Sequence, residues 1–264
     1  MLDKPTILKN TSIWEDECKR LEALMAQGED VKAEYDRAVK NAIGERRIID
    51  ALLTLDMPMY ILRDVNINYD GKSSRVNCMV FTRKMAFVIE CDDIYGSIEI
   101  NHDGGFERSS GGRENKVVDG VFYPMEATKA HIDLIRKIKK DEMKGMSRFF
   151  QRIMHFDNWY KTVVVITDPE ATFSDIFAPK SFKQKVVRVD LLPGYIKNEY
   201  ADSNEYLSDD KEMTEWSGQF LKMHKDEAPF GHFTGAEWRR AYLIIWGPRA
   251  TCRLGCKPSG QDSF

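Results

Sequence analysis

The chain has 264 residues, and 39 lysines and arginines against 42 aspartates and glutamates leave a formal net charge of −3. That balance argues against a broad coat-type nucleic-acid binder, which carries excess positive charge, but leaves room for a local basic groove. With 42% hydrophobic and 11% aromatic residues, the composition is globular and excludes a disordered chain. Apolar runs such as Met85–Ile89 and Ala241–Trp246 fall far short of the roughly 18 residues that cross a bilayer. The opening MLDKPTILKN has no apolar signal core. Cys18, Cys78, Cys91, Cys252 and Cys256 are odd in number and unevenly spaced. The expectation is a cytoplasmic protein without membrane attachment.

From Ile13 to Leu55, apolar Leu21, Leu24, Met25, Ile43, Ile48 and Leu52 recur at helical spacing, and Gly28 divides the stretch into two helices before Met57-Pro58 stops it. Strand signals follow. Tyr60-Ile61-Leu62 runs to Val65-Asn66-Ile67, and Tyr69-Asp70-Gly71 supplies a turn. Arg75–Thr82 and Met85–Asp92 form a hairpin through Arg83-Lys84, and Ser97–Asn101 is a further strand. Asp103–Gly112, rich in glycine and serine, reads as a mobile loop.

Pro124 opens a helix from Met125 to Lys140, with Ile132, Leu134, Ile135 and Ile138 on its buried side. Ser147–His155 reads as another short helix. The continuous β-branched run Lys161–Thr167 is a central strand covered on both faces. Lys185–Asp190 is the last strand, and Asp190–Gly194 turns into a helix. Ala201–Asp210 is an acidic linker, Glu212–His224 an amphipathic helix, Glu237–Trp246 a second apolar segment, and the residues from Pro248 a disordered tail. The order predicts an α/β fold with a mixed sheet flanked by helices.

The chemistry gathers around one hairpin. Alternation along the strand puts Glu90 and Asp92 on one face and Cys91 on the other. Asn77 lies on the neighbouring strand, and Glu45 on the preceding helix approaches the same edge. Clustered oxygen ligands on adjacent strands are what a hard divalent cation requires. These stretches resemble the nuclease-related domain (NERD) family of the PD-(D/E)xK, restriction-endonuclease-like group. Gly44-Glu45 is similar to its opening helix motif, and RVNCMVFTRKMAFVIECDDIYGSI to its two-strand core. Tyr123-Pro124, Glu126 and His131 resemble its Asn-Pro-x-x-Gln…His helix, while VVVITD and VVRVDLLPGYI resemble its closing strands.

The resemblance implies a restriction-endonuclease-like core over 42–197, a helical extension over 1–41, a linker and C-terminal helices over 198–247, and a disordered tail over 248–264. It implies Mg²⁺, with Mn²⁺ as a substitute, held by Asn77, Glu90 and Asp92, with Glu45 in support. The family's metal-binding Asp falls on Asn77, its catalytic Lys on Asp92 and its helix Gln on Glu126. Asn carries no charge for a cation, and Asp92 repels phosphate where Lys would attract it. The leading expectation is therefore a catalytically impaired NERD-like protein that binds nucleic acid, DNA ahead of RNA, or a protein partner through the N-terminal helix. The alternative is a metal-dependent nuclease with a rearranged site, in which Lys84 or Lys129 replaces the missing lysine and His131 is the general base.

Other features read more plainly. Cys252 and Cys256 make two ligands where structural zinc needs about four. Lys180, Lys183 and Lys185, with Lys137, Lys139 and Lys140, suit a groove for DNA phosphates or a solvated face. Trp216, Phe220 and Met223 read as core. No serine-hydrolase elbow, Walker loop or dinucleotide fingerprint is present.

Overall fold

The structure, a computed structural model, describes residues 2–91, 96–110, 117–142 and 155–226. The chain opens with a strand, β1 (Pro5–Lys9), then two helices, α1 (Ile13–Ala26) and α2 (Lys32–Leu53). Gly28 separates them at φ +90°, a backbone conformation that glycine adopts without strain. Strands β2 (Met59–Tyr69), β3 (Lys72–Thr82) and β4 (Ala86–Glu90) form an antiparallel meander. The β2–β3 turn is Asp70-Gly71, both with positive φ, as a two-residue turn matched to strand twist requires.

A second sheet follows: β5 (Ser97–Ile100), β6 (Phe106–Ser110) and β7 (Val117–Phe122). Helix α3 (Pro124–Glu142), the short α4 (Phe156–Trp159) and β8 (Tyr160–Ile166) return the chain to the first sheet. Strand β9 (Thr172–Ser174), the single turn α5 (Lys180–Lys183), β10 (Val186–Arg188), α6 (Leu192–Asp202) and α7 (Asp210–Met223) complete the fold.

The main sheet runs β1-β2-β3-β4-β8-β10 and the smaller one β7-β6-β5-β9. Strand β8 is parallel to both its neighbours, β4 and β10; it is next to the sheet's edge rather than central, but its buried Val163, Val164 and Val165 show the coverage of both faces that its β-branched run predicts. Alternation sorts the core into layers. Ile61, Cys78, Val80, Phe87, Ile89, Val163 and Val165 face α2 and α6. Leu62, Met79, Phe81, Ala86 and Val88 face α3, α4 and α7. On that second side, Val164 and Ile166 of β8 pack against Ile98, Ile100 and Phe106 of the smaller sheet. Trp216 and Phe220 are buried here as expected, and Trp216 Nε1 donates to Tyr160 Oη at 2.7 Å.

Three differences from the sequence reading have physical causes. The stretch 103–112 is not all loop, because Phe106–Ser110 pairs with both β5 and β7. A single anchor, the fully buried Phe106, holds it, while Asn101 Oδ1 accepts from the amides of Asp103 and Gly105 to close the preceding turn. The N-terminal 41 residues are not purely helical, since β1 pairs in parallel with β2. The apolar residues of α1 (Ile13, Trp14 and Leu21) are already covered by α2. Most of 147–155, the segment Glu237–Trp246, Cys252, Cys256 and the C-terminal tail lie outside the described residues.

Gly44 of α2 sits against β8's exit. A Cβ there would stand 2.7 Å from Thr167 Oγ1 and 3.5 Å from its Cβ. Gly44→Ala should therefore lower stability by about 1–3 kcal/mol through overpacking, read as a drop in thermal midpoint. Adding Thr167→Ala should recover most of it. An unchanged midpoint for the single variant would show that this contact is not tight.

Candidate functional site

Strand β4 delivers Glu90. Phe87 and Ile89 point to the α2 side and Ala86 and Val88 to the α3 side, so Glu90 follows Val88 toward α3. There Glu90 Oε2 lies 3.1 Å from His131 Nε2, and His131 Nδ1 lies 2.6 Å from Ser74 Oγ of β3. Glu90 and His131 are both buried. A carboxylate only accepts, so Nε2–H donates to Glu90, and Nδ1 shares a hydrogen bond with the Ser74 hydroxyl.

Asn77 goes elsewhere. Strict alternation puts it beside Met79 on the α3 side, but Asp64 in the paired strand takes a left-handed φ of +50°. Around it the pleat slips. Leu62 and Val65 face the same layer, as do Val76 and Met79, although each pair is three residues apart. Asn77 turns toward α2 instead, where its Nδ2 donates to Glu45 Oε1 at 3.3 Å. Its Oδ1 accepts the Cys91 amide at 2.9 Å, tying this centre to the residue that follows Glu90.

Glu45 is the acidic end of a buried network. Arg63 is 1% exposed, and its Nε donates to Glu45 Oε2 at 3.0 Å. Nη1 donates to Glu15 Oε1 at 2.8 Å and to the Asn10 carbonyl at 3.2 Å, and Nη2 to the Ala42 carbonyl at 3.3 Å. Beside it, Asp64 accepts from the Ile13 amide at 2.6 Å and from Arg75 Nη1 at 2.5 Å, a negative charge at the N-terminus of α1. Lys9 Nζ donates to the carbonyls of Arg63 and Thr11. Burial pushes the Lys9 ammonium's pKa down, against the opposing pull of Asp64. Burial, with the Asp64 charge, pushes the Glu45 carboxyl up to about 7, against hydrogen bonds from Ser12 and Asn77 and the charge of Arg63. Burial also pushes the Cys78 thiol up, leaving it protonated and inert.

The remaining sequence-derived candidates separate. Lys84 lies at the other end of β4 from Glu90, where its ammonium donates to the carbonyls of Tyr200 (3.1 Å) and Ser203 (2.7 Å). Glu126 and Lys129 are exposed on the outer side of α3, away from buried His131, and line a separate cleft. Asp92 lies outside the described residues. The structure thus pairs Glu45 with Asn77 and Glu90 with His131, on opposite faces of one sheet. Sequence reasoning missed Arg63, Asp64, Arg75, Glu15, Lys9 and Ser74. A signal was available: Arg63-Asp64 interrupts an otherwise apolar strand, and charges at buried strand positions need partners.

A mixed sheet between helix layers, with buried carboxylates on a strand end and on the preceding helix, makes this an α/β protein. The family model described as NERD, nuclease-related domain, matches residues 40–167, and the chain carries a nuclease-related domain over those residues. No curated protein and no solved structure matches it. The matched span runs from the middle of α2 to the end of β8 and takes in Glu45, Asn77, Glu90 and His131. Among the described residues, no helix is long and apolar enough to cross a membrane.

The domain suggests a divalent cation, and the donor atoms test that. Both Glu45 oxygens are engaged, one by the Arg63 guanidinium, and Asn77 Oδ1 is engaged by an amide. A permanent cation 3.0 Å from Glu45 opposes a second one there. No group of three or more His, Cys, Asp or Glu side chains among the described residues converges as a metal cage. Glu45 and Asn77 are thus committed to partners within the protein.

Removing Arg63 leaves Glu45 buried without its counter-charge, so Arg63→Met should cost about 3–5 kcal/mol in denaturant unfolding. Arg63→Lys should recover little, because an ammonium cannot reproduce the forked donors. Glu45's folded pKa lies above its unfolded value near 4.5, so the folded state binds the proton more tightly. Its contribution is fully present below that value and is lost as pH rises to about 7. The stability difference between wild type and Glu45→Gln should change across that window, and a pH-independent difference would refute the assignment.

Proposed function

We propose that this nuclease-related protein binds nucleic acid through its NERD scaffold and that phosphodiester hydrolysis at the scaffold is impaired. The observation that carries the reading is Asn77, the residue at the family's metal-binding Asp position. Its amide is used in both directions, donating to Glu45 and accepting from Cys91. That role needs a donor as well as an acceptor, which Asp cannot supply when ionised. The arrangement is a hydrogen-bonded brace, with Glu45 neutralised by Arg63 and Glu90 held by His131. Cys18, Cys78 and Cys91, the three cysteines among the described residues, form no disulfide with one another, which fits a reducing cytoplasm.

A second reading is favoured by the Ser74–His131–Glu90 chain. A histidine oriented at one nitrogen by a carboxylate and facing a hydroxyl at the other could accept that hydroxyl's proton, and with Asp92 as an added oxygen ligand the protein would be a metal-dependent nuclease.

Incubation of the full chain with DNA or RNA and Mg²⁺ or Mn²⁺ should give no cleavage, while fluorescence anisotropy should detect nucleic-acid binding that weakens linearly in log salt. Asn77→Asp should destabilise the fold by about 1–3 kcal/mol, since it exchanges a donor for a second carboxylate beside Glu45. Combined with Asp92→Lys, it is the variant that restores the family's ligand and cation. Metal-dependent cleavage by the wild type, lost in Glu90→Ala and Asp92→Ala, would establish the second reading instead.

A further inference from the structure

On the α3 side of the main sheet lies a cleft of about 370 Å³, within the size range of small-ligand pockets. Its floor includes Thr162 of β8 and Met125 and Ile132 of α3, and its aromatic walls are Tyr123 and Phe182. Lys129 and Lys185 line it. Both are exposed and neither has an ion-pair partner among the described residues. The wall is fixed by shape: Gly104 holds φ +79°, and a Cβ there would fall 2.0 Å from the Phe182 ring. That ring therefore lies on bare backbone.

The cleft continues into an exposed lip. Between Ile176 and Lys185 the sequence IFAPKSFKQK carries Lys180, Lys183 and Lys185 and no acidic residue, in a chain whose net charge is −3. Phe177 is 56% exposed and meets His102 edge-on, with centroids 6.2 Å apart. Aromatic rings beside exposed lysines are the two components of single-strand recognition: bases stack on the rings and phosphates follow the ammonium groups. A duplex keeps its bases stacked inside and offers nothing to a concave aromatic pocket, whereas an unpaired base enters it. The carboxylates of Asp103 and Glu126 at the rim repel phosphate but accept hydrogen bonds from exocyclic amino groups.

We infer that this cleft and lip bind a single-stranded segment of nucleic acid, with one base between Tyr123 and Phe182, a neighbouring base on Phe177, and phosphates at Lys129, Lys180 and Lys185. The inference rests on the nucleic-acid reading above and names the form of ligand. Position supports it. Thr162 pairs with Val88, two residues before Glu90, and Thr128 of the cleft lies one helical turn from His131. The cleft thus lies on the same side of the sheet as the buried Glu90–His131 pair.

The test is an anisotropy titration of the full chain with fluorescein-labelled oligo(dT), oligo(U) and a mixed-sequence duplex of equal length. Wild type should bind the single strands more tightly than the duplex. Lys129→Gln with Lys185→Gln should weaken single-strand binding at least tenfold and lower the log–log salt slope by about 1.4, at about 0.7 per phosphate contact. Phe177→Ala should weaken it by about tenfold, as loss of a stacked base does. All three positions are exposed, and unchanged thermal midpoints would confirm intact folding. Lys19→Gln on the distant α1 should have no effect. Single-strand binding that survives these variants would overturn the cleft assignment while leaving nucleic-acid binding in place. Equal loss of duplex binding would overturn the ligand form. Absence of binding to any of the three probes would remove the nucleic-acid reading itself.

Discussion

One buried guanidinium organises this molecule. Arg63 carries a charge it cannot shed, at a position 1% exposed in the strand next to the sheet's edge. Everything that satisfies it must therefore be in place whenever the strand is buried. Its partners come from three separate elements: the carbonyl after β1, a carboxylate in the first turn of α1, and both a carbonyl and a carboxylate of α2. A buried ion pair contributes little net stability over an apolar replacement. What it supplies is position, since only one depth and rotation of α2 brings Glu45 to Nε.

Much of the architecture was legible because it follows from periodicity. The helical spacing of Ile48 and Leu52, the Asp70-Gly71 turn and the β-branched run at Val163–Val165 all reflect burial of one face or two, and that burial dominates folding. Strands β1, β6 and β7 were harder. Pro5–Lys9 and Phe106–Ser110 each commit few side chains to a core, so tertiary pairing rather than local pattern makes them strands.

The site was legible in its residues but not in its geometry. Glu45, Glu90 and His131 were singled out as candidates by type and order. Their division between two faces of the sheet was hidden, because it turns on one backbone dihedral. Asp64 in the left-handed region shifts the pleat for both β2 and β3, and no spacing rule announces a single non-glycine residue there. The lysines illustrate the same limit: Lys84 and Lys129 were candidates for a displaced site lysine, whereas the ammonium that donates to the Arg63 carbonyl beside the acidic network is Lys9, from a strand 54 residues away from Arg63 in sequence.

The parallel pairing of β1 with β2 changes what counts as the folding unit. The segment recognisable as a family domain begins at residue 40, yet Asn10 and Glu15, which satisfy Arg63, and Ile13, whose amide satisfies Asp64, all precede it. A chain cut back to the recognisable segment would expose the β2 edge and strand a guanidinium and a carboxylate in its interior. Ancestry and cooperativity thus draw different borders on this polypeptide. The matched segment by itself lacks Asn10, Ile13 and Glu15, the groups before residue 40 that bond to Arg63 and Asp64.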